Sequence, residues 1–367
     1  MAEKAIRLGG ESTAAAITQA VQELYPEHKF TEAEFARKDN AAEIAVDTNF
    51  AAQSFWKDVR IRFFRKKSAV LGLVMIMLIL LLAVFGPGMN AYTYSGQDLS
   101  QKNFAPRVPG IEQFGILDGS EKMSTTTGTK IVNNYVEKGK DDVYYWFGSD
   151  LYGRDIWTRT WEGARVSLII AVAAAVIDMV IGMSYGLISG YFGGRVDMVM
   201  QRFLEVANGI PRLVIVTLLL LVLQPGMVTI IFALMLTEWV GMSRIARAEM
   251  LKLKDQEFVL ASRTLGAGSF FIIFKEVLPN IIGPIITQVM FSIPTAIFTE
   301  AFLSFVGLGI PVPQCSLGSL ISELYNSFTT HPYQIIPPIV VMSLLMLSFN
   351  LLADGLREAL DPKMKSM

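Results

Sequence analysis

Cysteine is almost missing from this 367-residue chain: Cys315 stands alone, so no intramolecular disulfide can brace the fold. Histidine occurs only at His28 and His331, far apart and without a local carboxylate-cysteine constellation, which leaves no strong metal-binding pattern and no nucleophile triad to argue from. No GxxxxGK[ST] phosphate loop occurs, and Gly182, Gly186 and Gly190 sit in an apolar run that cannot substitute for one. Charge is scarce at 18% of residues, against about a quarter in soluble domains. The net charge of −1 gives no basic footprint for nucleic acid. The first 56 residues lack an apolar core of the signal-peptide kind, so the first strong run, near Ser68, is expected to stay in the protein as an anchor.

What the chain does have is apolar residues, 52% of it, gathered into blocks. Residues 1–67 read as a cytoplasmic tail, with short helices expected around Ala14–Leu24 and Thr31–Ala45 and a basic segment, Lys57–Lys67, before the first span at 68–85. Gly86 and Pro87 end that span, and roughly 20 residues suffice to cross the hydrocarbon core. Residues 86–163 form a polar interval rich in turn signals, expected to be an extracytoplasmic insertion with strands at Lys130–Tyr135 and Asp142–Phe147. Its aromatic stretch Tyr144–Phe147 either orients the insertion at the lipid interface or packs it against the membrane domain. A five-helix core at 164–352 follows, with spans near Ala164–Gly190, Phe203–Leu223, Met227–Gly241, Leu278–Phe298 and Gln334–Leu352, and residues 353–367 form a tail. Loop charge sets the orientation. The 243–277 loop carries Arg244, Arg247, Lys252, Lys254, Arg263 and Lys275, whereas 301–333 has no Lys or Arg. The expectation is an all-α, six-span membrane protein with both termini inside.

Two places stand out chemically. In the 243–277 loop, Phe258, Ala261, Ser262 and Leu265 recur at helical spacing and make one small, mostly apolar face. Charged Asp255, Glu257, Arg263, Lys275 and Glu276 surround it, Gly266 and Gly268 permit a turn, and Leu278-Pro279 precedes re-entry into the membrane. Such a helix either docks into a groove on a cytoplasmic partner or lies under its own membrane domain. Within the second span, Asp178, Gly182, Gly186 and Gly190 recur every four residues, placing a carboxylate and a smooth strip on one face. A lone charge in hydrocarbon is costly, so Asp178 is expected to face protein, as a packing hydrogen bond or on the substrate pathway. Glu300 and Glu323 border the outward segment, either solvated or meeting a binding protein or peptide.

The loop resembles the EAA loop of bacterial ABC-importer permeases, a coupling helix followed by glycine, a fixed gap and Leu-Pro. Ala261 and Ser262 match its paired small residues, Gly266 its glycine and Leu278-Pro279 its end, while Leu260 and Glu276 depart from it. Residues Phe147–Leu168 are similar to the signature preceding the second span of dipeptide and oligopeptide permeases, through Asp150, Gly153, Arg154, Asp155, Gly163, Arg165 and Ser167. Phe302–Pro311 resembles that family's Ser-Phe-Leu-Gly-Leu-Gly-x-Pro segment, with Val306 in place of leucine. The chain thus resembles the C-type permease subunit of these importers, with an unusually long insertion at about Tyr92–Tyr145.

That resemblance implies a six-helix type I importer fold in the bacterial cell membrane and a non-catalytic role as half of a peptide translocation pathway. It implies a homologous second permease, two ATP-binding subunits, an extracytoplasmic peptide-binding protein, lipid and a peptide substrate as partners, and no nucleic acid. No cofactor is expected on this chain; ATP and Mg2+ belong to the ATPase subunits, which Glu257, Phe258, Ala261, Ser262, Arg263, Leu265, Gly266, Leu278 and Pro279 would couple to the pathway. The insertion is expected to meet the binding protein or the paired permease. Competing readings are an ion-gradient-driven peptide transporter, an ABC permease for nickel or another solute, and a membrane scaffold that transports nothing.

Overall fold

A computed structural model of the protein describes residues 55–125 and 128–360; the helices expected at Ala14–Leu24 and Thr31–Ala45 lie outside the described residues. Helix α1 (Phe55–Arg65) carries an Arg62–Asp58 pair one turn apart, and α2 (Lys67–Phe85) follows as an almost uniformly aliphatic rod. The later helices are α4 (Ile156–Phe192), α7 (Met227–Leu253), α9 (Ser269–Leu308) and α11 (Ile336–Leu360). Together with α2, these give five helices among the described residues that are long and apolar enough to cross a membrane. Their outer faces expose Leu, Ile, Val and Phe along much of their length, as a bilayer requires and water would not tolerate.

A sixth candidate is broken. Helices α5 (Gly194–Gly209) and α6 (Arg212–Val222) meet at 79°, where a single span over Phe203–Leu223 was expected. Pro211 explains the break. It has no N–H to continue the ladder and pushes the preceding residue out of helix, and Ile210 is extended at φ −85°, ψ 124°. Elsewhere the spans outrun their expected limits. The fourth continues from Gly241 to Leu253, the fifth starts at Ser269 and ends at Leu308, and the last reaches Leu360. Pro279, expected at the re-entry into the membrane where the span begins, lies inside continuous helix. The π-turn at Ile272–Val277 directly before it widens the coil, which accommodates a ring that would otherwise strike the carbonyl of Lys275.

The polar interval has its own small core of Phe104, Tyr135 and Tyr145, with Tyr92 stacked on Tyr145 at 4.5 Å. Strands β1 (Ser120–Thr125) and β2 (Gly128–Asn133) pair antiparallel in the register Ser120↔Asn133 and Lys122↔Ile131. The expected strand at Lys130–Tyr135 therefore ends two residues early, because the Asn133 side chain accepts from Tyr135 N and opens the short helix α3 (Asn134–Glu137). No strand forms at Asp142–Phe147. Tyr145 turns into the aromatic core while Trp146 and Phe147 both pack on Trp157, at 4.7 and 4.8 Å, and three successive inward rings defeat strand alternation. Of the two readings of Tyr144–Phe147, these contacts place Trp146 and Phe147 against α4.

Below this cap, α4 is the hub. Its Leu168, Ile170 and Ala171 pack with Ile79 of α2, Ile230 of α7, Ile297 of α9 and Leu345 of α11. A second cluster at the far end joins Leu187, Met242, Met250, Ile273 and Ile285 to Val259. Val259 belongs to α8 (Glu257–Thr264), the short helix of the basic loop, and this one buried residue ties that helix to the bundle. Lipid is as apolar as these side chains, so close packing, rather than escape from water, holds the spans together. The chain is an all-α polytopic bundle, with one short hairpin in its polar cap among the described residues.

Candidate functional site

The signature residues of 150–165 assemble a buried ionic quartet. Asp150 Oδ1 accepts from the backbone N–H groups of Tyr152 (2.8 Å) and Arg154 (3.0 Å), closing a tight turn. Its Oδ2 accepts from Arg154 Nε and Arg159 Nη1, both at 2.7 Å. The two guanidinium groups also reach Glu323 on α10 (Leu317–Tyr325), Arg159 Nη2 at 2.7 Å and Arg154 in a second contact. Two cations and two anions thus balance. Only Glu323 keeps contact with solvent, its side chain 24% exposed. Burial opposes its charge, but Arg159 and Arg154 outweigh that and hold the Glu323 carboxyl below its usual range.

The other signature residues brace this turn. Gly153 approaches so closely that a β-carbon would lie 1.9 Å from the Asp98 carbonyl oxygen, and one on Gly163 would lie 3.0 Å from the backbone of Ser316. Asp155 caps α4 by accepting from Thr158 N at 2.7 Å, and burial pushes its carboxyl up. Arg165 donates to the last carbonyls of α2, Ala83 at 3.0 Å and Val84 at 3.1 Å, where a cation suits the helix C-terminus.

Glu300 is neither solvated nor at a border. It is fully buried in α9, accepting from Ser316 at 2.5 Å, Ser304 at 2.7 Å and Ser167 at 3.2 Å. His331 Nδ1 meets Glu121 of β1 at 2.9 Å, and Gln334 Nε2 donates to Asn103 Oδ1 and Ser149 O, both at 3.0 Å. These contacts lock the polar cap onto the start of α11.

The glycine strip of α4 lies against α7. A β-carbon on Gly182 would lie 2.5 Å from Trp239 O, on Gly186 2.1 Å from Ser243 O, and on Gly190 2.8 Å from Met250 Cβ. Asp178 opens the same strip at a π-turn, Asp178–Gly182, and is buried, with Ser292 and Glu238 as its electrostatic neighbours.

Helix α8 presents the opposite character. Apart from Val259 its surface is open: Phe258 is 38% exposed, Leu265 88%, and Glu257, Ala261 and Arg263 are exposed as well, with Ser262 half-buried. Gly266, at φ +84°, sits in the left-handed region, and its N–H bonds to Arg263 O while Ala267 N–H bonds back to Ser262 O. This paired arrangement satisfies the last carbonyls and stops the helix abruptly. Arg263 lies 5.4 Å over the Tyr191 ring at the end of α4. Leu278 is half-buried against the second cluster, and Pro279 is exposed.

Sequence reasoning missed Arg159, Asp197, Arg247 and Glu121 as site residues, and it missed that Ser167, named in the signature, joins Ser304 and Ser316 around Glu300. The carboxylate within an apolar helix was the available signal for Glu300, hidden by ending that span at Phe298. Arg159, Asp197, Arg247 and Glu121 reach partners distant in sequence, for which no local spacing exists.

These features define a polytopic helical membrane protein with a capped bundle and one exposed short helix at the end remote from the cap. The family model described as binding-protein-dependent transport system inner membrane component matches residues 182–366, and that of the N-terminal TM domain of oligopeptide transport permease C matches residues 54–106. The oligopeptide transport system permease protein OppC of Bacillus subtilis is 41% identical over 312 residues, 85% of this chain and 91% of the relative. The dipeptide transport system permease protein DppC of Lactococcus lactis is 42% identical over 318 residues, 85% and 92%. Among solved structures, an inward-facing MetNI methionine ABC transporter chain aligns at 15% identity and TM-score 0.47, over 54% of this chain and 94% of that one. The chain belongs to the binding-protein-dependent transport system inner membrane component family.

Proposed function

We propose that the chain is the transmembrane permease subunit of an ATP-driven bacterial peptide importer, forming half of the translocation pathway. The observation that carries this is identity above 40% to oligopeptide and dipeptide permeases along 85% of the chain. The partners are a second, homologous permease, two ATP-binding subunits that hold ATP and Mg2+ and carry out hydrolysis, and a peptide-binding protein outside. The permease itself performs no chemistry.

Helix α8 is the contact to the ATPase. Its exposed face through Phe258, Ala261 and Leu265 is a ridge with a small residue at its centre, and Gly266 sets its aim. The charge contrast between 243–277 and 301–333 supports placing α8 and both termini inside, and residues 86–163 outside, where they meet the binding protein or the paired permease. Asp178, Gly182 and Gly186 serve the packing of α4 on α7. The test is Ala261→Arg in the reconstituted complex. A long cation on the ridge should abolish co-purification of the ATPase, or at least peptide-stimulated ATP turnover, without lowering the amount of permease in the membrane. Normal assembly, hydrolysis and import would rule this face out as the coupling surface.

A further inference from the structure

At the same end of the bundle as α8, three helices converge on one side chain. Asp197, in the first turn of α5, receives both arms of Arg247 from α7, Nε to Oδ1 and Nη2 to Oδ2, each at 2.6 Å. Ser189 of α4 donates to the same carboxylate at 2.6 Å, and Gln201 of α5 donates to Ser189 at 3.0 Å. The forked geometry fixes angle as well as distance, which a point charge would not. The glycine strip makes the fork possible. Because Gly186 and Gly190 let the backbone of α7 lie directly on α4, Arg247 is brought to Asp197 over the edge of α4.

Farther along, Tyr185 of α4 donates to Met200 O at 2.8 Å and the buried Leu204 of α5 packs with Trp239 and Val240 of α7, but the α4–α5 turn itself is open. Gly193 (φ +61°, ψ −161°) and Gly194 (φ +50°) reverse the chain in conformations that other residues rarely adopt. Nothing packs within 4 Å of where a Gly194 β-carbon would be, and only Lys254 Nζ, at 3.6 Å, comes near that of Gly193. Helix α5 is therefore joined to α4 by a glycine pivot, tied to α7 at its first turn by the Asp197–Arg247 ion pair and packed on α7 farther along through Leu204. Helix α7 leads through Lys254, Asp255 and Gln256 directly into α8.

We infer that the Asp197–Arg247 pair is a strut that makes the bent α5–α6 element move with α7 when α8 is displaced, the Gly193–Gly194 pair being the pivot. Both are positioning residues: their contacts join α5 to α4 and α7. A balanced, bidentate pair can both push and pull, whereas an apolar contact transmits only compression. The inference rests on α8 being the ATPase contact.

The experiment uses the full importer in proteoliposomes, with spin labels on Val199→Cys of α5 and Lys252→Cys of α7, both exposed. The native Cys315 is buried, leaving the added thiols as the reactive ones of this chain, and the partner subunits are used without cysteine. With the native pair, the α5–α7 distance distribution stays the same between the nucleotide-free and the ATP-trapped states. With Asp197→Asn it broadens or shifts by several ångströms on trapping, peptide import falls at least tenfold, and subunit stoichiometry and ATP turnover hold. The exchanged pair Asp197→Arg with Arg247→Asp recovers most of the import. Import within twofold of normal in Asp197→Asn, an unchanged distance distribution, or loss of assembly in step with import would each overturn the strut. Failure of the α8 reading shows separately, as normal ATPase association in Ala261→Arg.

Discussion

Replacing Arg159 by methionine keeps most of the side chain's volume but takes one charge out of a site where Arg159, Arg154 and Asp150 are almost wholly buried. Asp150 and Glu323 would then share Arg154 alone, leaving a buried surplus of one negative charge. Breaking a buried pair from one side costs about 3–5 kcal/mol, because the orphaned partner cannot recover its hydration. Glu323→Gln should cost less, about 1–3 kcal/mol, since Glu323 is partly solvated and keeps an acceptor oxygen. The double variant restores balance, with Asp150 and Arg154 still paired at 2.7 Å. It should therefore fall short of the summed single costs by about 2 kcal/mol, within the range for contacting charged residues. Reversible unfolding in mixed micelles, followed by tryptophan fluorescence, gives all four free energies. Additive costs would refute the claim that the quartet acts as a unit. The same cycle has a pH signature. Glu323 sits below its usual carboxylate range, so its contribution is fully present above about pH 4.3, the ordinary glutamate value, and is lost as pH falls through its lowered folded value. The stability gap between the native protein and Glu323→Gln should be constant near neutrality and close in acid.

Gly186→Leu puts a branched side chain where even a β-carbon would lie 2.1 Å from Ser243 O; the resulting backbone shift should cost well above the about 1–3 kcal/mol of ordinary overpacking and collapse the yield of folded protein in a detergent-stability screen. Thiol labelling in intact cells should reach Asn326→Cys from outside and Arg263→Cys only after permeabilisation; the opposite pattern at both sites would invert the topology. Gly266→Ala should cost about 1 kcal/mol through its positive φ, and the misdirected ridge should lower ATPase co-purification even though the new methyl meets no atom.

Legibility tracked the range of the interaction. The Asp178–Gly190 strip and the α8 ridge repeat within one helix, so their periodicity was visible, and Gly266 announced its own turn. The 79° break between α5 and α6 was also written in the sequence, as Gly209 and Pro211 inside an otherwise apolar run, but hydropathy smooths over such a pair. The π-turn at Ile272–Val277 left only Pro279 as a trace, and that residue reads equally well as a helix start. The quartet was half legible. Asp150 and Arg154 stood in a motif, yet Glu323 pairs with Arg159 across 164 positions, and nothing local to either names the other.

The cap and the quartet also impose an order on biogenesis. Synthesis runs from the N-terminus, so residues 86–159 leave the ribosome long before Glu323, His331 and Gln334. Until then Arg154 and Arg159 share a single carboxylate, Glu121 lacks its imidazole, and Asn103 and Ser149 lack their amide. A chain stalled before α10 carries an uncompensated cation beside the first turn of α4. The cap thus closes onto the bundle only when α10 and the start of α11 are delivered, and a product truncated before them keeps that unmatched charge.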